Sequence, residues 1–173
     1  MRRKYLILAA FMMVVLIGPG CKKFLDVNKN PNDPTPAGVT VSMILSAAER
    51  NISNNLALGT GMGNVMGVYT HQITGRVAAD RYGAGAQSWE GLYAAVANLN
   101  VIIARGTEEG RLVYRGIAKV LKAYVFSVLV DVYGDVPFSE FDRFEEGVLQ
   151  PNFDKGSDIY PQLFTLIDEG IAD

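Results

Sequence analysis

The chain has 173 residues, of which 49% are hydrophobic and 20% charged, with a formal net charge of −2. That length suits one domain. The composition is globular, neither disordered nor fibrous, and there is no basic stripe or basic motif of the kind nucleic acid requires. A single cysteine excludes an internal disulfide, and with a single histidine it leaves no ligand set for a structural zinc.

Met1 to Lys4 read MRRK, three cations in four residues, and Tyr5 to Ile17 follow as thirteen residues without a charge. This is the pattern of a secretory signal peptide, and the run is short for a membrane span, which needs about 20 apolar residues. Small residues Gly18 and Gly20 precede Cys21. A thiol just past a cleavage point is the acceptor of a bacterial lipoprotein, so residues 1–20 are read as a lipoprotein signal and Cys21 as the lipidated first residue. The pattern departs from the usual one in having Gly18 where Leu is common and Pro19 beside the cut. The alternative is an ordinary signal peptide or an uncleaved anchor with an incidental cysteine. Without Arg2, Arg3 and Lys4, 13 cations face 18 acids, a net charge of −5. Residues 28–38, NKNPNDPTPAG, hold three prolines and three asparagines. Residues 21–38 therefore read as an extended tether.

From Val41 the pattern turns helical. Val41, Ile44, Leu45, Ala48, Ile52 and Leu56 recur every three or four residues, and Thr40 or Ser42 can cap the start. LGTGMGN, residues 58–64, ends or interrupts this helix. A second helical stretch is expected at about Asn64 to Gln72. Residues 74–87, TGRVAADRYGAGAQ, have no apolar period and read as a polar loop. Ser88 or a neighbour opens a third helix whose face is Trp89, Leu92, Tyr93, Val96, Leu99 and Ile103, with Gly106 ending it.

The fourth helix, about Glu108 to Tyr133, is the strongest element. Its broad apolar face comprises Leu112, Ile117, Val120, Leu121, Tyr124, Val125, Val128, Leu129 and Val132. Gly134 stops it, and Pro137 forbids continuation. Ser157 or Asp158 can cap a fifth helix with Ile159, Leu163, Leu166 and Ile167 inward, and Pro161 falls in its first turn. No strand alternation of useful length occurs. The expected fold is all-α, built from helical hairpins, without a 34-residue consensus repeat.

Few residues offer chemistry. In DVYGDVPFSE, Asp131 to Glu140, a catalytic reading pairs Asp131 with Asp135 or Asp135 with Glu140 as acid and base, which needs a set separation and one raised pKa. The structural reading is stronger: Gly134 reverses the chain, Asp135 bonds turn amides, and Pro137 and Phe138 lock the exit. His71 has no partners at motif spacing for a triad or a metal. GTGMGN lacks the strand, the lysine and the glycine spacing of a phosphate loop. No metal and no cofactor are expected. A saccharide site is a different matter, because sugars bind through an aromatic face and planar polar groups. Arg76, Asp80, Arg81, Tyr82 and Trp89 supply that mixture on a glycine-rich segment. The competing reading places Trp89 in the core and Asp80 and Arg81 as a solvated pair.

Four segments together resemble the SusD/RagB family of nutrient-binding outer-membrane lipoproteins of Bacteroidetes. They are CKKFLDVNKNPNDPT from Cys21, WEGLYAAVANLNVII from Trp89, YRGIAKVLKAYVFSVLVDVYGDVPFSE from Tyr114, and PNFDKGSDIYPQLFTLIDEGIAD from Pro151. The resemblance implies tetratricopeptide-like helix pairs, with residues 39–173 as the N-terminal part of a longer all-α SusD-like domain. It implies a lipid anchor at the outer membrane and a non-catalytic role. The implied ligand is a glycan, oligosaccharide or peptide nutrient, handed to a SusC-like TonB-dependent transporter barrel. Two other functions stay open: an anchored or secreted glycoside hydrolase, and a structural helical adaptor at the membrane.

Overall fold

Helix α1, Val41–Leu56, buries Val41, Leu45, Ala48 and Ile52, the stripe its spacing demands. Thr40 caps it, its hydroxyl accepting from the Met43 N–H at 3.4 Å. The structure, a computed structural model, describes residues 38–57, 61–73 and 89–173. Among them follow α2, Gly61–Tyr69, α3, Glu90–Glu108, α4, Leu112–Tyr133, a 3-10 turn at Phe144–Glu146, and α5, Gly156–Ala172. Helix α2 starts at Gly61, three residues before the expected Asn64, so Gly61 to Asn64 are helical and not an interruption, and it ends at Tyr69 instead of Gln72. Helix α3 starts at Glu90, two residues after Ser88. Trp89 occupies the cap position of α3 without a side-chain cap bond.

Residues Val39–Asp173 fall in one compact unit. Helix α3 packs against α1 on one side and α4 on the other, and α5 packs against α4. The core joins Leu92, Ala95, Val96, Leu99 and Ile102 of α3 to Val125, Phe126 and Leu129 of α4, with Ile159 and Leu163 entering from α5. Each fully buried side chain of this kind contributes about 1.5–3 kcal/mol. Arg105 ties the end of α3 to the entry of α1: its guanidinium donates to the Val39 carbonyl at 2.7 Å and to Glu109 at 2.8 Å.

Three further details differ from the sequence reading. Gly106 does not end α3. It is buried within the helix, where a Cβ would meet the Cβ of Arg115 at 3.0 Å, and the reversal comes at Gly110, with φ +66°. Helix α4 consequently begins at Leu112. Second, the apolar face of α4 splits. Val125 and Leu129 are buried, but Leu112, Ile117, Val120 and Tyr124 are exposed, and Gly116, Ala118, Ala123 and Phe126 turn inward instead. Third, α5 begins at Gly156, so Pro161 lies in its second turn, and neither Ser157 nor Asp158 caps it. The Gly156 N–H is taken by Asp135 at 3.0 Å.

Among the described residues the strand-type pairing is one isolated antiparallel bridge, Val136 with Asp154. Its two hydrogen bonds, at 3.2 and 3.0 Å, pinch together the ends of the connection between α4 and α5. The fold is all-α.

Candidate functional site

The connection between α4 and α5 is laid along one side of α3, and that arrangement assembles an aromatic cluster. Gly134 caps α4 at φ +79°, a conformation that favours glycine. Its N–H bonds the Val130 carbonyl at 2.8 Å. Asp135 then closes the start of α5, and buried Pro137 presents its carbonyl to the Tyr93 hydroxyl at 2.8 Å. Phe138 stands edge-on to Phe126 with centroids 4.6 Å apart. Burial is the main cause that pushes the Tyr93 hydroxyl pKa up, and the charge of Asp154 adds to it.

Asp154 holds the two strands of the connection together. Its carboxylate accepts from the N–H groups of Phe138 and Ser139, each at 2.8 Å, and from the Ser139 hydroxyl at 2.8 Å. Partial burial alone would raise its pKa, but the hydrogen bonds outweigh it and the carboxyl lies below its ordinary value. With Asp154 fixed, its neighbour Phe153 is delivered to Trp89.

Trp89 sits half-buried at the start of α3, touching three rings. Tyr93 lies 5.8 Å away and edge-on, Tyr133 at 5.2 Å and Phe153 at 6.1 Å. Phe153 is 60% exposed. Trp89 is therefore both a core neighbour and part of an aromatic surface, so the two readings of that residue are compatible. Arg76, Asp80, Arg81 and Tyr82 lie outside the described residues, as does Cys21. Sequence reasoning missed Phe153 and Tyr133 as neighbours of Trp89. Nothing local to either residue signals the contact: Tyr133 reaches Trp89 because the end of α4 packs on α3, and Phe153 because the connection folds back along α3.

The carboxylates of the catalytic reading are occupied in bonds of the fold. Asp131 accepts from the Tyr160 hydroxyl at 2.5 Å, and Asp135 caps α5. Glu140 accepts from the backbone N–H of Asn152 at 2.8 Å and from its side-chain amide at 3.0 Å. Those bonds from Asn152 hold the Glu140 carboxyl below the usual range, opposite to what a general acid needs. His71 is exposed on a left-handed turn with φ 56°. Among the described residues no three His, Cys, Asp or Glu side chains come together to hold a metal.

A family model named SusD-like, described as starch-binding and associating with the outer membrane, matches residues 28–173. No curated protein matches the chain. A solved SusD/RagB family protein from Bacteroides thetaiotaomicron is similar in structure, with a TM-score of 0.62 and 25% identity. The match covers 78% of this chain and 30% of that one, so the chain spans under a third of that relative's length. The helix pairs of α1 to α5 have the tetratricopeptide-like arrangement that this likeness carries.

Proposed function

The chain belongs to the SusD-like family, described as starch-binding and associating with the outer membrane, and from that premise we propose that it is a non-catalytic receptor that captures a glycan or oligosaccharide at the cell surface. In this reading residues 1–20 are a lipoprotein signal and Cys21 carries the lipid. Residues 21–38 form the tether, and residues 39–173 are the part of the domain that presents the binding loops. Several acyl chains on Cys21 hold the protein at the outer membrane, since each buried methylene adds about 0.8 kcal/mol. No helix among the described residues is long and apolar enough to cross a membrane. The partner is a SusC-like TonB-dependent barrel, to which the captured ligand passes.

The observation that carries the proposal is the aromatic surface of Trp89 and Phe153, with Tyr133 behind it. A sugar ring stacks its C–H face on such a surface, while planar polar groups take its paired hydroxyls. Arg76, Asp80, Arg81 and Tyr82 precede Trp89 in the chain and supply those groups. Binding is the role and cleavage is not: Glu140 and Asp154, held below their ordinary pKa, serve turns of the fold.

Native affinity electrophoresis of the full chain through soluble starch and other polysaccharides tests this. Retardation of the wild type, lost on Trp89→Ala and reduced about tenfold in the double variant Arg81→Ala, Tyr82→Ala, supports it. Equal retardation of all three proteins contradicts the site. Release of reducing sugar would favour the hydrolase instead. No retardation by any glycan, with retained binding to the barrel, would favour the structural adaptor.

A further inference from the structure

A groove of about 530 Å³ opens on α3 beyond the aromatic cluster, between Asn100 and Val101 of the helix and the segment Asp142 to Glu146. Asn100 is eleven residues from Trp89. At 3.6 residues and 1.5 Å per residue, that is roughly 16 Å along the axis and within about 20° of the same side. The α4–α5 connection joins the two places. It touches Trp89 through Phe153, Tyr93 through Phe141 and Asn100 through Asp142.

The walls of the groove are held in place. Asp142 has a left-handed backbone with φ 67°. The Asn100 amide donates to its Oδ2 at 3.0 Å, and the amide oxygen accepts from Lys122 Nζ at 2.8 Å. Arg143 pairs with Glu146 across the 3-10 turn, and Gly147 closes that turn with φ +87°. The Gly147 N–H reaches the Phe144 carbonyl at 2.9 Å. On this braced turn Phe144 is 70% exposed. A single exposed apolar side chain is ordinary. Here, though, the ring stands on a groove beside a carboxylate whose Oδ1 accepts no bond among the described residues, on a backbone already ordered. Ordering before binding removes part of the entropic cost of holding a ligand.

The charges narrow the ligand. Lys122 is engaged by Asn100 and Arg143 by Glu146, so neither cation is spare for a phosphate or sulfate. What remains is an aromatic face with the carboxylate oxygens of Asp142 and Glu145 around it, acceptors that disfavour an anion and take the hydroxyls of a sugar. We propose that this groove is a second saccharide subsite, in which Phe144 stacks on a sugar ring and Asp142 accepts its hydroxyls, engaging a glycan chain that also occupies the Trp89 surface. The proposal rests on the glycan-binding reading above and adds to it a second point of attachment.

The test compares a short probe with a long one on the full chain. Maltotriose is titrated while the emission of Trp89 is followed, and soluble starch is titrated by calorimetry. For Phe144→Ala and Asp142→Asn, starch affinity is expected to fall about tenfold while the maltotriose response at Trp89 stays within twofold of wild type. Asn tolerates the left-handed backbone and Phe144 is exposed, so both variants are expected to melt as the wild type does. Phe144→Leu is expected to be as weak as Phe144→Ala, because it keeps apolar bulk but loses the ring. Starch affinity within twofold of wild type in Phe144→Ala or Asp142→Asn overturns the subsite. Full affinity in Phe144→Leu overturns the stacking role. A wild type that binds neither glucan overturns the glycan reading itself, and the subsite with it, which is a different result from loss of the long-chain advantage alone.

Discussion

The Tyr93 hydroxyl donates to the carbonyl of Pro137 at 2.8 Å, forty-four residues away, and this bond fixes the α4–α5 connection on α3. The acceptor is buried, and proline brings no N–H of its own. Replacing Tyr93 by Phe keeps the ring contacts with Phe126 and Phe141 but leaves that carbonyl unpaired. The expected cost is about 1–3 kcal/mol, read as a lower midpoint in chemical denaturation. An unchanged midpoint would mean that the ring alone holds the connection.

Asp154 should behave as the clasp of the same connection. Asp154→Ala frees the amides of Phe138 and Ser139 together, so residues 139–153 are expected to become a site of early proteolytic cleavage. Glycan binding is expected to weaken with it, because Phe153 loses its fixed place beside Trp89. Resistance to protease equal to that of the wild type would show that the Val136 bridge suffices.

Much of the helical order is legible in the sequence because the large apolar side chains of α1, α3 and α5 recur at helical spacing and point at one core. Val41, Leu45, Leu92, Leu99, Ile159 and Leu163 all obey it. Helix α4 breaks the rule for a physical reason. Its inward face is partly made of small residues, and a count of bulky hydrophobics therefore selects the wrong side. Ile117, Val120 and Tyr124 read as core and are exposed, while Gly116 is buried. Of the candidate site, Trp89 is legible as the sole tryptophan, directly after a polar, glycine-rich stretch of sequence. Phe153 is not, since its place depends on Asp154 gripping amides fifteen and sixteen residues earlier.

The small residues of α4 carry a prediction of their own. A Cβ at Gly116 would stand 2.5 Å from the carbonyl oxygen of Gly170, in the contact between α4 and α5. Gly116→Ala must push the helices apart, and overpacking of this kind costs about 1–3 kcal/mol. A melting temperature at or above that of the wild type would contradict the close approach.

Acid should loosen the same pair of helices. The Asp173 carboxyl is held down to about 2, first by its hydrogen bonds from Arg115, with burial opposing and Lys119 assisting. Lys119 Nζ lies 3.0 Å from Asp173 and 3.1 Å from Glu169. A carboxyl with a lower pKa in the folded state stabilises fully above its unfolded value, and that contribution disappears as the pH falls through the folded value. Stability should therefore be level down to about pH 5 and drop between ~4 and ~2. Asp173→Asn should flatten that drop while lowering stability at neutral pH. An acid transition identical in the variant would assign it to other carboxylates, such as Asp154 and Glu140.

The proposed anchoring by Cys21 predicts that cells fed labelled palmitate incorporate label into the wild type and none into Cys21→Ser. The wild type should sediment with outer membranes, and the variant should not. Equal labelling of the two would remove the lipid anchor.

The most direct measurement uses the chain's one tryptophan, which stands in the proposed site. Titrating the full chain with a starch-derived oligosaccharide should give a saturable shift in Trp89 emission, with a midpoint matching the calorimetric Kd. Calorimetric binding of the glycan with no change at Trp89, or no glycan binding at all, would contradict the account.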